Sequence, residues 1–170
     1  MNFHPAPRGA FAAIFAASFA FADAAFADEA QIARGDYLVR IMDCTGCHTP
    51  GVMSGKPDMA KYLAGGDVGF EIPGLGIFWP PNLTADDETG LGSWSAEDIV
   101  RAVRTGETPD GRILAPIMPY HSYAALSDED AMALAAYIKS LPPVSNQVPD
   151  PVGGPGDAKA PYLTVAVPVP

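Results

Sequence analysis

Two cysteines and a histidine stand within five residues, Cys44-Thr45-Gly46-Cys47-His48, and these are the only two cysteines in a chain of 170 residues. Three positions apart on a helical turn, the thiols project to one side, where each can add to a vinyl group of a single haem; the imidazole that follows points at the iron. Other uses of the spacing fit less well. A thioredoxin-like dithiol needs a βαβ surround that is absent, and structural zinc needs four ligands, for which only His48 and the distant His121 remain downstream. The pattern predicts one covalently bound haem c, attached through Cys44 and Cys47 with His48 on the iron, and no cysteine left for a structural disulfide.

An iron that only changes oxidation state is best held on both faces, so a second ligand is required. Met42, Met53, Met59, Met118, Met132 and His121 are the candidates. Met42 lies too near the attachment motif to reach the opposite face, and Met132 falls inside the terminal helix; both suit core packing. Met53 and Met59 follow His48 in a glycine-bearing loop and stay open. Met118 is favoured because Leu114-Ala115-Pro116-Ile117-Met118-Pro119-Tyr120 is apolar, and its prolines hold the backbone extended. His121 competes with it, since two groups three residues apart cannot both bind one iron. A thioether favours ferrous iron and a higher potential; a second imidazole gives a lower one.

The elements that position these groups can be read outward from them. Residues 1–27 have the build of a secretory leader: His4 and Arg8, an Ala/Phe-rich stretch from Gly9 to Ala22, then Ala25-Phe26-Ala27. The apolar stretch is roughly 14 residues, short of the roughly 20 of a permanent span. Export, cleavage after Ala27 and a periplasmic location are expected, in keeping with haem attachment outside the cytoplasm. No later segment is long and apolar enough to span, since Pro161 to Pro170 is short and broken by prolines. The formal charge of −10 argues against a nucleic-acid partner and for one with a basic or mixed docking face.

Residues 28–144 make one domain. Ile32, Leu38, Val39 and Met42 give an amphipathic helix over Glu29 to Asp43 that leads into the motif. Thr49 to Ser93 is rich in glycine and proline and reads as a long loop folded around the haem. Ser95-Ala96-Glu97-Asp98 caps a second helix with apolar Ile99, Val100 and Val103, stopped near Gly106. Ser127-Asp128-Glu129-Asp130 starts a third, with the stripe Ala131, Leu134, Ala135 and Ile138, ended by Pro142-Pro143. Residues 145–170 form a Pro/Gly-rich tail that cannot be helical: either a mobile end or an extended arm lying on a partner or on its own domain.

From about Ala33 to Pro143 the chain resembles the class I c-type cytochromes, most closely the single-haem domains in cytochrome subunits of periplasmic alcohol, aldehyde and sugar-acid dehydrogenases. The likeness rests on the Cys44–His48 motif, Asn82-Leu83-Thr84, Gly90-Leu91-Gly92-Ser93-Trp94-Ser95, Glu97-Asp98-Ile99-Val100 with Arg104 and Gly106, Asp110-Gly111-Arg112, Met118-Pro119-Tyr120 and Leu126 to Asp130 followed by Leu134 to Tyr137. The resemblance implies an all-α fold of small helices and long loops around one haem. It implies crossed terminal helices, and His48 and Met118 as axial ligands; Gly35, which lacks a side chain, is either where another helix approaches closely, with Tyr137 or Leu134 filling the contact, or simply a weak helix position. It also implies that Trp94 and Arg112 donate to haem propionates. Subunits of this type often carry several haems and a membrane anchor, whereas this chain has one motif.

A closed iron of this kind moves electrons and makes no bond in a substrate. The expected function is a periplasmic electron carrier that accepts electrons from a dehydrogenase and passes them to a downstream acceptor. A haem enzyme or gas sensor is the alternative and needs an open iron position with polar distal groups. A third reading is a docking subunit that recruits through the tail and Asp86, Asp87 and Glu88.

Overall fold

The computed structural model describes residues 1, 17–166 and 168, with side-chain surroundings from Glu29 onward. Two compact units divide the chain, Met1–Ala30 and Gln31–Pro170, and every contact described below belongs to the second. The expected leader, residues 1–27, lies outside the residues whose side chains are described. No helix among the described residues is long and apolar enough to cross a membrane.

Among the described residues five α-helices carry the fold: α1 (Ala17–Ile41), α2 (Cys44–His48), α3 (Ala96–Thr105), α4 (Tyr120–Tyr123) and α5 (Asp128–Ser140). The start of α3 has the local chemistry that its sequence calls for. Ser95 Oγ accepts from the Asp98 amide, and the Asp98 carboxylate accepts from the Ser95 amide, so two orphan donors are satisfied reciprocally. Gly106 ends the helix in a left-handed conformation, φ 78°. Ser127 caps α5 through the Asp130 amide, and all four residues of its predicted apolar stripe are buried.

The core forms where α1, α3 and α5 converge: Leu38 and Val39, Ile99 and Val103, Leu134, Ala135 and Ile138. The close approach expected at Gly35 is present. A Cβ there would overlap the Ala133 carbonyl oxygen and lie 2.5 Å from Tyr137 Cβ, so only glycine lets α1 and α5 meet backbone to backbone. Arg34 Nε and Nη2 clamp the Asp130 carboxylate at 2.8 and 3.1 Å beside the same crossing.

The loop region holds regular structure that composition did not reveal. β1 (Gly69–Ile72) and β2 (Gly76–Phe78) form an antiparallel hairpin, with Gly74 at φ 80° in the turn. The tail completes this sheet: β3 (Tyr162–Leu163) lies parallel to β1 in the order β2-β1-β3. Ile77 and Val152 exchange two backbone hydrogen bonds, of 2.8 and 3.1 Å. The buried indole of Trp79 donates to the Pro161 carbonyl at 3.1 Å. Through Leu163 the tail is therefore an arm on its own domain and not a mobile end. The fold remains predominantly helical with a small sheet appended.

Acid sensitivity follows from the caps. Asp98 and Asp130 are held below the ordinary carboxylate value of 3.8, chiefly by hydrogen bonds from Ser95 and from Arg34 respectively. A folded pKa below the unfolded one adds stability that is complete above the unfolded value and lost as pH falls through the folded one. Thermal melts are expected to decline as pH falls below about 4 toward the lowered pKa values of these carboxylates. Asp98→Asn should be less stable at pH 7 and should show a shallower acid drop.

Candidate functional site

A left-handed residue separates α1 from α2: Asp43 has φ 54°, a conformation that Asp tolerates better than most. The turn lets Cys44 to His48 start a new helical turn, and Gly46 leaves room for the Asp43 carboxylate to fold back over it. Cys44 and Cys47 are both free and half-buried. In the chain before attachment, burial pushes the Cys44 thiol up to about 11 and raises Cys47 as well, with the Asp43 charge adding to both.

His48 is buried, and its Nδ1 lies 2.7 Å from the Pro81 carbonyl oxygen. A carbonyl only accepts, so Nδ1 carries the proton and Nε2 keeps its lone pair. Burial lowers the pKa of the ring and favours its neutral form, against a smaller opposing pull from the Pro81 carbonyl. Two thiols on one helical turn and a neutral imidazole presenting Nε2 fit the donor set of haem c, with the partner at Nδ1 fixing the tautomer.

Loop segments wrap this motif closely. The Gly65 amide donates to the His48 carbonyl at 2.8 Å, and a Cβ on Gly66 would overlap the Cys47 carbonyl. Leu63 is fully buried with φ 56°, an unfavourable conformation for leucine that its surroundings enforce. Its amide donates to Thr49 Oγ1 at 3.0 Å, and its carbonyl accepts from Leu83 at 2.9 Å, so the residue beside His48 is tied to the strand of chain leaving Pro81. Next along is Asn82, buried, with its amide bonded to Thr84, Thr89 and Val144.

The segment carrying Met118 is tied to the attachment motif from the other direction. Its loop is closed by the Leu114 amide on the Gly106 carbonyl, 2.8 Å, and by the Met118 amide on Ala115, 3.0 Å. Met118 is half-buried and directly precedes Pro119, the cap of α4. At the end of α4, Tyr123 donates its hydroxyl to the Met42 carbonyl at 3.0 Å, two residues before Cys44. The other candidate ligands sit differently. Met53 and Met59 stand in solvent, His121 is exposed against the Tyr120 ring, Met42 packs on the core, and Met132 lines a shallow groove with Val100 and Ala124.

Trp94 is half-buried against the core, and its backbone carbonyl accepts from Lys139 Nζ at 2.6 Å. Arg112 is exposed, with Asp110 3.9 Å away, while its backbone carbonyl accepts from the buried Thr108. Four residues of consequence escaped the sequence reading as individual positions: Pro81, Asn82, Trp79 and Tyr123. The Pro80-Pro81 pair was a usable signal for the first two, since two fixed φ angles in a loop mark backbone that must be held in place.

The family model described as Cytochrome c matches residues 32–142. The chain is 39% identical over 140 residues to the cytochrome c subunit of alcohol dehydrogenase (quinone) from Gluconobacter oxydans (strain 621H), covering 81% of this chain and 27% of the relative. It is 43% identical over 111 residues to the gluconate 2-dehydrogenase cytochrome c subunit of Pantoea cypripedii, covering 65% and 23%. It is 36% identical over 112 residues to the fructose dehydrogenase cytochrome subunit of Gluconobacter japonicus, covering 64% and 22%. The chain thus spans about a quarter of the length of these relatives.

Proposed function

Because the chain belongs to the cytochrome c family, we propose that it carries single electrons on one haem c, attached through Cys44 and Cys47, with His48 and Met118 as the residues that would hold its iron. The bound group supplies the redox change; the protein supplies the attachment, the ligands and a surround that excludes water. The observation that carries this reading is the buried His48 ring, whose Nδ1 is engaged by the Pro81 carbonyl and whose Nε2 is left for iron. A ring fixed in tautomer and orientation changes little when one electron arrives, which keeps reorganisation small.

The electron donor is a periplasmic dehydrogenase acting on an alcohol or sugar acid, and a downstream redox protein takes the electron on. Three relatives are named as cytochrome subunits of an alcohol, a gluconate and a fructose dehydrogenase, which supports this reading. The net charge of −10 suits a partner with a basic or mixed docking face and association that weakens with salt. No substrate bond is made or broken by this chain. An open, gas-binding iron is disfavoured because His121, the candidate polar distal group, is exposed.

Purified haem-loaded protein tests the reading directly. Its pyridine haemochrome should show haem that resists acid-acetone extraction, and the ferric form should show the near-infrared band of a methionine ligand. Cys44→Ala with Cys47→Ala should release all haem to the solvent. Extractable haem in the unsubstituted protein, or avid carbon monoxide binding on reduction, would overturn it.

A further inference from the structure

We propose that Asn82 is a positioning residue for the iron: by fixing the Pro81–Asn82 peptide it sets how strongly His48 donates, and hence the potential. The proposal rests on His48 being an iron ligand and goes one layer beyond it.

The His48 ring is oriented by one acceptor, the Pro81 carbonyl, at 2.7 Å. That carbonyl belongs to the peptide unit shared by Pro81 and Asn82. The pyrrolidine ring fixes φ of Pro81, so the remaining freedom is its ψ rotation, which swings the carbonyl and must carry the Asn82 amide with it. Asn82 cannot follow. Its side chain is 1% exposed and fully committed: Nδ2 donates to Thr89 Oγ1 at 2.9 Å and to the Val144 carbonyl at 2.7 Å, and Oδ1 accepts from the Thr84 amide at 2.9 Å and the Thr84 hydroxyl at 2.8 Å.

These partners come from separate stretches of chain and are themselves held. Thr89 Oγ1 donates to Asp86 at 2.7 Å and accepts from the Asn146 amide at 3.1 Å; Val144 donates its own amide to Thr84 Oγ1 at 3.1 Å. On the other side of the proline pair, the Gly66 amide donates to the Pro80 carbonyl at 2.9 Å. The peptide facing His48 is therefore clamped at both ends. A well-aligned acceptor at Nδ1 makes the imidazole more basic and a stronger donor, which favours the ferric state. Loosening the clamp weakens that hydrogen bond and favours the ferrous state.

The test compares haem-loaded wild-type protein with Asn82→Ala and Thr89→Val. Thr89→Val keeps Asn82 in place but removes one of its acceptors. Both variants should keep the near-infrared band, so that the opposite ligand is unchanged. Both should show a raised midpoint potential, larger for Asn82→Ala. The His48 Nδ1 proton, followed by paramagnetic NMR, should exchange about two- to tenfold faster, the range expected for weakening one hydrogen bond. Unshifted potentials and exchange in both variants would overturn the proposal while leaving His48 as ligand. If Asn82→Ala does not assemble, Thr89→Val decides: a raised potential supports the clamp and an unchanged one overturns it. Absence of hyperfine-shifted His48 signals in the wild-type protein would overturn the ligand assignment and the proposal with it.

Discussion

Replacing Met118 with leucine is expected to abolish the near-infrared band of the ferric protein and to lower the midpoint potential by on the order of 0.1 V, within the roughly 0.8 V that axial ligation spans. Leucine matches methionine closely in volume, so a half-buried site should refold around it at a cost of less than about 1.5 kcal/mol. The thioether is what is lost. Its preference for ferrous iron disappears, and the reduced protein should gain carbon monoxide binding at the vacated position. The substitution also discriminates among ligands. A retained band would point to Met53 or Met59, although both stand in solvent among the described residues. A band lost together with a bis-imidazole spectrum would show His121 moving in, three residues along a segment whose α4 turn is only four residues long.

Gly35→Leu is expected to destabilise the folded protein by at least about 3 kcal/mol, since overpacking costs of this order arise even where side chains can yield. Here the first obstacle is backbone: the added Cβ would overlap the Ala133 carbonyl oxygen before the rest of the side chain is considered. Even Gly35→Ala should be destabilising, because its helix-propensity gain of about 1 kcal/mol is smaller than the cost of separating α1 from α5. Denaturant titration of both variants checks this. A loss of 3 kcal/mol for a domain of this size should also lower Tm by about 10 °C. An unchanged midpoint for Gly35→Ala would mean that the two helices can part without loss.

The helices and the attachment motif were legible because each is written in local chemistry. Cys44, Cys47 and His48 declare themselves by spacing, and Ser95 with Asp98 or Ser127 with Asp130 declares a helix start within four residues. Gly35 was legible for a different reason: a glycine inside an otherwise helical pattern needs a close neighbour to justify it. What stayed hidden depends on partners far along the chain. Gly69-Phe70-Glu71-Ile72 and Gly76-Ile77-Phe78 are too short to announce strands, though Pro73-Gly74 between them is a turn signal that the density of glycine around it obscured. Trp79 was passed over because what places it, the Pro161 carbonyl, lies more than eighty residues away in the tail. Asn82 was quoted within a motif, but its work could not be inferred, since its partners Val144 and Thr89 are set by the fold.

The tail's place in the sheet also constrains the order of events as the chain folds. α1, α3 and α5 can dock through Leu38, Ile99 and Leu134 before the last residues arrive. The β1–β3 seam cannot, because it joins Gly69 and Phe70 to Tyr162 and Leu163, which lie beyond α5. Until that seam closes, Trp79 lacks its acceptor and β1 is paired with β2 alone. A chain cut at Pro143 would keep α1, α3 and α5 but lose the seam, the acceptor of Trp79, and the Val144 and Asn146 groups that hold Asn82 and Thr89.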